Sequence, residues 1–161
     1  MLTSGYRLSE KILTAPVQGI DENGIEKTYT LSDFLGEYVV LYFCPMDSSP
    51  ECEQEAREFN EKINNLSKKA TVICVSPDSI EGHKNFQEQL GLDFVLFSDT
   101  DYRITKAFGA WGEKKMFGMT FLGVIRSTFL IGKEGVIKHA WPNVTLEGHV
   151  EEVVKVLDLL D

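Results

Sequence analysis

Cysteine is scarce in this sequence: three in 161 residues, an odd number and too few for a disulfide framework. A chain of this length buries roughly two-thirds of its unfolded surface, so apolar packing alone can hold the core. Basic residues are also short, 16 against 25 acidic ones, for a net charge of −9. That balance lacks the basic footprint that nucleic acid or an anionic membrane surface requires. No apolar run approaches the roughly 20 residues of a spanning helix. The stretch from Met1 to Gly19 is broken by Arg7, Glu10 and Lys11, and carries no signal-peptide pattern. The expected compartment is therefore the reducing cytoplasm, where cysteines are more often catalytic or inert than bridged. His83, His139 and His149 stand apart from each other and from the cysteines, without metal-ligand spacing. The glycines from Gly109 to Gly123 lack the strand and helix that flank a phosphate loop. No repeat, low-complexity tract or linker divides the chain, so residues 1–161 are expected to form one domain.

What is present alternates between strand-like and helix-like patterns, the signature of an α/β architecture. A turn is expected at Gly19–Gly24 and a short strand at Glu26–Thr30. Tyr38–Phe43 is apolar on both faces, as a central strand is, and Pro45 ends it. From Pro50 the period becomes helical, with Cys52, Ala56, Phe59, Ile63 and Leu66 on one stripe. Thr71–Val75 is a second buried strand. Asp78 and Glu81 resemble a capping box for a helix that runs to Leu90 and stops at Gly91. Phe94–Phe97 reads as a strand, and Tyr102–Phe108 as a short helix. Trp111–Gly123 shows no period and is expected to be a loop. Ser127–Ile131 and Val136–Trp141 form a hairpin, and Leu146, Val150, Val153, Val154, Leu157 and Leu160 stripe a last helix. This order suggests a thioredoxin-like fold, a central mixed β-sheet flanked by helices.

The run Phe43-Cys-Pro-Met-Asp-Ser-Ser-Pro-Glu-Cys52 joins the central strand to the first long helix. Pro50 suits the first helical position and Ser49 the N-cap, which places Cys52 in the first turn. Backbone N–H groups there lack intrahelical partners, and with the helix dipole they favour a thiolate over a thiol. Asp47, Glu51, Glu53 and Glu55 would oppose that thiolate if they faced it. No lysine or arginine occurs between Val39 and Ala56, so a cation must come from elsewhere. Arg126, just ahead of the strand Ser127–Ile131, is the leading candidate. Arg57 falls on a different face of the helix. The competing reading makes Cys52 merely the first apolar residue of its stripe.

Pro45-x-x-x-Ser49-x-x-Cys52 resembles the active-site motif of peroxiredoxins. The fuller run Leu41–Glu55, with Val75–Ser79, Phe97–Asp99, Trp111–Lys115 and Arg126–Ile131, is similar to the peroxiredoxin Q or bacterioferritin comigratory protein subfamily. The resemblance spans Leu31 to the C-terminus. It implies a cofactor-free peroxidase that reduces hydrogen peroxide and organic hydroperoxides through a sulfenic acid on Cys52. Ser49 would hydrogen-bond the peroxide, Arg126 would hold the thiolate and the developing oxyanion, and Pro45 would shield the sulfur. Glu55 matches a glutamate that fixes the arginine. Serine replaces the commoner threonine at position 49 and keeps its hydroxyl. The implied reductants are thioredoxin, glutaredoxin or a small thiol, and the implied assembly is a monomer or weak homodimer.

The departure from the pattern concerns the resolving thiol. Many members carry a second cysteine five residues on, where this chain has Arg57, and others carry it on the next helix, where Ser79–Leu90 has none. Either an external thiol reduces the sulfenic acid, or Cys44 or Cys74 has taken the role. Cys44 would approach Cys52 if the helix start unwound, and packing is the simpler role for both cysteines. A Cys44–Cys74 bridge is a further option if their strands are neighbours. His83 and His149 are expected to face solvent on helices, and Glu51, Glu53, Glu55 and Glu58 to form a solvated helix face. Phe117 and Phe121 would line a peroxide channel, a dimer surface or ordinary packing. Two rivals to the peroxidase remain: a redox sensor with little turnover, and a thioredoxin-fold binding module with a structural Cys52.

Overall fold

The computed structural model describes residues 1–66 and 70–160; the side chains of residues 64–66 lie outside that description. Strand β3, Tyr38–Phe43, is the axis of the molecule, with all six residues buried. Its side chains alternate between two cores. Val40 and Tyr42 pack with Ala56 and Phe59 of helix α2 (Pro50–Leu66) and with Val150, Val153 and Leu157 of helix α5 (His149–Asp158). Val39, Leu41 and Phe43 pack on the other face with Phe108, Phe129 and Ile137. A strand buried on both faces must read as a continuous apolar run, and this one does.

Seven strands pair in the order β2-β1-β5-β4-β3-β8-β9. The parallel centre is β3, β4 (Ala70–Ser76) and β5 (Val95–Ser98). Antiparallel strands extend it on both sides: β1 (Val17–Ile20) and β2 (Glu26–Tyr29), then β8 (Ser127–Ile131) and β9 (Ile137–Trp141). The sheet is mixed and flanked by helices, as the element order implied. Helix α1 (Glu10–Thr14) and a 3₁₀ turn at Leu31–Phe34, both without a sequence expectation, complete the N-terminal part.

Three local expectations need correction. Gly19 and Ile20 belong to β1, and the turn begins at Asp21, whose carboxylate accepts from the backbone N–H of Asn23 and Ile25. Helix α3 (Ile80–Leu90) is capped by Ser79, whose hydroxyl accepts from Gly82 N, whereas Asp78 turns inward. Its end at Gly91, with φ of 65°, is as expected. The supposed loop Trp111–Gly123 is a two-stranded hairpin, β6 (Trp111–Met116) and β7 (Met119–Val124), after the short helix α4 (Arg103–Ala107). It turns at Phe117 and Gly118, both with positive φ. Both faces of this hairpin are largely exposed, so no alternation of apolar and polar residues marks it.

Candidate active site

Strand β3 ends at Phe43, and the chain turns through 44–49 before re-entering as α2 at Pro50. Ser49 makes the predicted cap. Its hydroxyl accepts from Cys52 N at 3.2 Å and donates to Met46 O at 3.0 Å, while its carbonyl accepts from Glu53 N at 3.0 Å. The cap therefore places a hydroxyl on the backbone amide of the residue whose sulfur is the candidate nucleophile.

Cys52 is joined to Cys44 in a disulfide, with the Cα atoms 5.9 Å apart. The pairing leaves α2 intact from Pro50, so the helix start need not unwind. Cys44 extends beyond the strand end, bonded through its amide to Val75 O at 2.9 Å. It belongs to the same face as Val40 and Tyr42, the face on which α2 packs. Cys74 stands unpaired and buried in β4, so no bridge joins it to Cys44. Burial pushes its thiol well above the ordinary range.

Arg126 arrives at the sulfurs through strand register. Phe43 lies opposite Ser127, so the residue preceding Ser127 falls beside the one following Phe43. Its Nη2 lies 3.5 Å from Cys52 Sγ and its Nη1 3.6 Å from Cys44 Sγ. The same Nη1 donates to Glu55 Oε1 at 2.6 Å. Glu55 is three residues beyond Cys52 on α2 and so shares its face. It is fully buried, which overturns the expectation that all four helix glutamates are solvated. Burial pushes its carboxyl up to about 7, with Arg126 opposing the rise. Among the described residues its Oε2 finds no hydrogen-bond partner. Arg57 pairs instead with Glu53 on the exposed side of the helix, as its spacing required.

Outside the sulfurs lies an open cleft lined by Pro45, Ile125, Arg126, Asn143, Val144 and Lys114. Lys114, from the β6–β7 hairpin, has its ammonium lowered by partial burial and by the facing Arg126. It is a second cation at the entrance that the sequence does not disclose, because the exposed hairpin carries no strand period. Phe117 is 96% exposed at the hairpin tip and Phe121 is also exposed; neither lines the cleft.

A second polar group lies behind the 44–49 turn. Asp47 points away from the sulfurs: its Oδ2 lies 2.6 Å from Nδ1 of His83, and its amide donates to Asp78 Oδ2 at 2.9 Å. His83 is fully buried, not solvent-facing, and its Nε2 lies 2.9 Å from Phe97 O. His149 is buried as well, with Nε2 2.8 Å from the Thr128 hydroxyl. Burial lowers its imidazole to about 4. The missed signal was positional: Ile80, His83, Phe86 and Leu90 fall at spacings of three and four on the inner face of α3. Among the described residues no cluster could hold a metal ion, and no helix is long and apolar enough to cross a membrane.

In sequence and fold the chain is similar to known proteins. Residues 12–140 match the AhpC/TSA family. Peroxiredoxin Bcp of Bacillus subtilis is 42% identical over 132 residues, covering 81% of this chain and 84% of the relative. Among solved structures, a mutant of peroxiredoxin Q from Xylella fastidiosa superposes with a TM-score of 0.91 at 37% identity, over 99% of this chain and 97% of the other. A structure of the bacterioferritin comigratory protein of Xanthomonas campestris, described for its alkyl peroxide reduction activity, gives 0.88 at 33% identity, over 97% and 98%. With a cysteine at a capped helix start, an arginine against its sulfur and this fold around them, the chain belongs to the AhpC/TSA family, as a thiol peroxidase of the peroxiredoxin Q or Bcp kind.

Proposed function

We propose that Cys52 is the peroxidatic cysteine and that Cys44 resolves it, in a cycle that reduces hydrogen peroxide and organic hydroperoxides. The observation that carries this reading is the Arg126 guanidinium, which reaches both sulfurs and Glu55 at once. In the reduced protein the Cys52 thiolate attacks the terminal peroxide oxygen. The O–O bond breaks, the departing oxygen takes a proton and leaves as water or an alcohol, and Cys52 becomes a sulfenic acid. Arg126 balances the thiolate and then the charge growing on the departing oxygen. Ser49 orients the peroxide through its hydroxyl, Pro45 covers the sulfur, and Glu55 fixes the guanidinium plane. Cys44 then attacks the Cys52 sulfur, the S–O bond breaks, and water leaves with the Cys44 proton. The 5.9 Å Cα separation lies inside the range that a disulfide spans, which favours Cys44 over Cys74 as the resolver.

Thioredoxin, glutaredoxin or a small thiol returns the two electrons, and the protein works as a cytoplasmic monomer or weak homodimer within one domain, residues 1–161. Alkyl hydroperoxides are the organic substrates, as the Xanthomonas campestris relative suggests. The test is peroxide consumption with each thiol donor in turn, for the wild type and Cys52→Ser. Turnover that requires Cys52 supports the reading. A single slow oxidation with no recycling by any donor contradicts it.

A further inference from the structure

Both sulfurs of the disulfide are buried, with Cys44 and Cys52 each only 1% exposed. A hydroperoxide is small enough to pass along the cleft beside Arg126. A dithiol carried on a protein is not, and thiol–disulfide exchange requires direct approach to a sulfur. The segment between the cysteines must therefore move before such a reductant can act.

One side chain anchors that segment deeply. Met46 and Ser48 are exposed, and Pro45 and Ser49 are half-buried. Asp47 is buried, and it ties the turn to α3 through His83 Nδ1 at 2.6 Å and to the β4–α3 connection through its amide and Asp78. The carbonyl of Phe97, 2.9 Å from Nε2, only accepts, so Nε2 carries a hydrogen. The other nitrogen therefore shares a proton with the Asp47 carboxyl, and separating the two leaves buried polar groups without partners.

We propose that Asp47 and His83 are positioning residues that latch the 45–51 segment over the sulfurs, and that release of this latch admits the thiol reductant to the disulfide. The inference rests on the Cys44–Cys52 cycle proposed above. Once the segment opens, a reductant thiolate attacks one sulfur and the S–S bond breaks, with the other sulfur leaving as thiolate. A second reductant thiol then displaces the mixed disulfide; the reductant departs as its own disulfide, and Cys44 and Cys52 regain two electrons. Closed, the same latch holds Ser49, Cys52 and Arg126 together for the peroxide step.

The test follows reduction of the oxidised protein by reduced thioredoxin, a dithiol carried on a protein, through its intact mass, with amide hydrogen exchange of Asp47, Ser49 and Cys52 measured in both redox states. His83→Ala and Asp47→Asn are each expected to speed reduction by about tenfold, and to speed exchange at those amides but not in β8 or β9. The double variant gains nothing more, because the pair acts as one unit. Ile137→Ala, in a buried position on the opposite sheet face, reproduces general destabilisation and leaves reduction unchanged. If His83→Ala does not fold, Asp47→Asn, which keeps the side-chain volume, decides the matter. Unchanged reduction and exchange in the latch variants would overturn the proposal, as would equal acceleration by Ile137→Ala. If peroxide instead leaves an added oxygen on the protein, the disulfide cycle fails. Exchange in the reduced protein then judges the latch alone, with faster exchange supporting it and unchanged exchange overturning it.

Discussion

Glu55 Oε1 accepts a 2.6 Å hydrogen bond from Arg126 Nη1, although the Glu55 side chain is fully buried. One guanidinium nitrogen is thereby committed to the helix that carries Cys52, and the other is left facing the Cys52 sulfur at 3.5 Å. The arginine can span both because its donors sit in a rigid planar fork.

Replacing Arg126 by Gln is expected to lower the rate of Cys52 oxidation by roughly a hundredfold to a thousandfold, the usual effect of losing a donor to transition-state charge. Arg126→Lys recovers little, because one ammonium cannot hold Glu55 and the sulfur together. Rapid-mixing measurement of peroxide consumption checks both. An Arg126→Lys variant at wild-type speed would remove the argument from the fork.

Glu55 also makes stability depend on pH. Its carboxyl is raised from 4.5 to about 7, so the folded chain holds the proton more tightly than the unfolded one. Such a group stabilises the fold fully below the unfolded value, and the contribution is lost as pH rises through about 7. The loss is on the order of 3 kcal/mol. Glu55→Gln cannot titrate and should flatten this dependence. Denaturant unfolding of both proteins across that window provides the comparison; parallel curves count against the assignment.

Ser49 caps the helix, and the proposed mechanism also gives its hydroxyl the task of orienting the peroxide. Ser49→Ala removes the hydroxyl that accepts from Cys52 N and should cost about 1 kcal/mol of stability. It should also slow peroxide reduction by more than that stability loss explains. Ser49→Thr keeps the hydroxyl and should retain both properties. Unfolding curves and oxidation rates on the same samples separate the two effects.

The strand Tyr38–Phe43, the capped start of α2 and the cation at Arg126 were all legible in the sequence, each for a local reason. An unbroken apolar run marks a doubly buried strand, and Ser-Pro ahead of Cys52 marks a helix start. With no lysine or arginine between Val39 and Ala56, the cation had to come from elsewhere in the chain, and Arg126 supplies it. Other features depended on tertiary placement. Glu55 and His83 are polar residues whose burial is decided by what packs against their helices, so their sequence neighbours could not reveal it. Lys114 was hidden because β6 and β7 are exposed on both faces and show no strand period. The sequence offers Cys44 as a candidate partner, but its proximity to Cys52 depends on how tightly the 45–49 turn closes.

The most direct measurement is the intact mass of the reduced protein after one equivalent of hydrogen peroxide, beside Cys52→Ser and Cys44→Ser. The wild type should rapidly lose two hydrogens, Cys44→Ser should gain one oxygen, and Cys52→Ser should show neither change. A wild type that stays unchanged, or a Cys52→Ser variant that oxidises as quickly, would contradict the assignment of Cys52 as the peroxide-reactive residue.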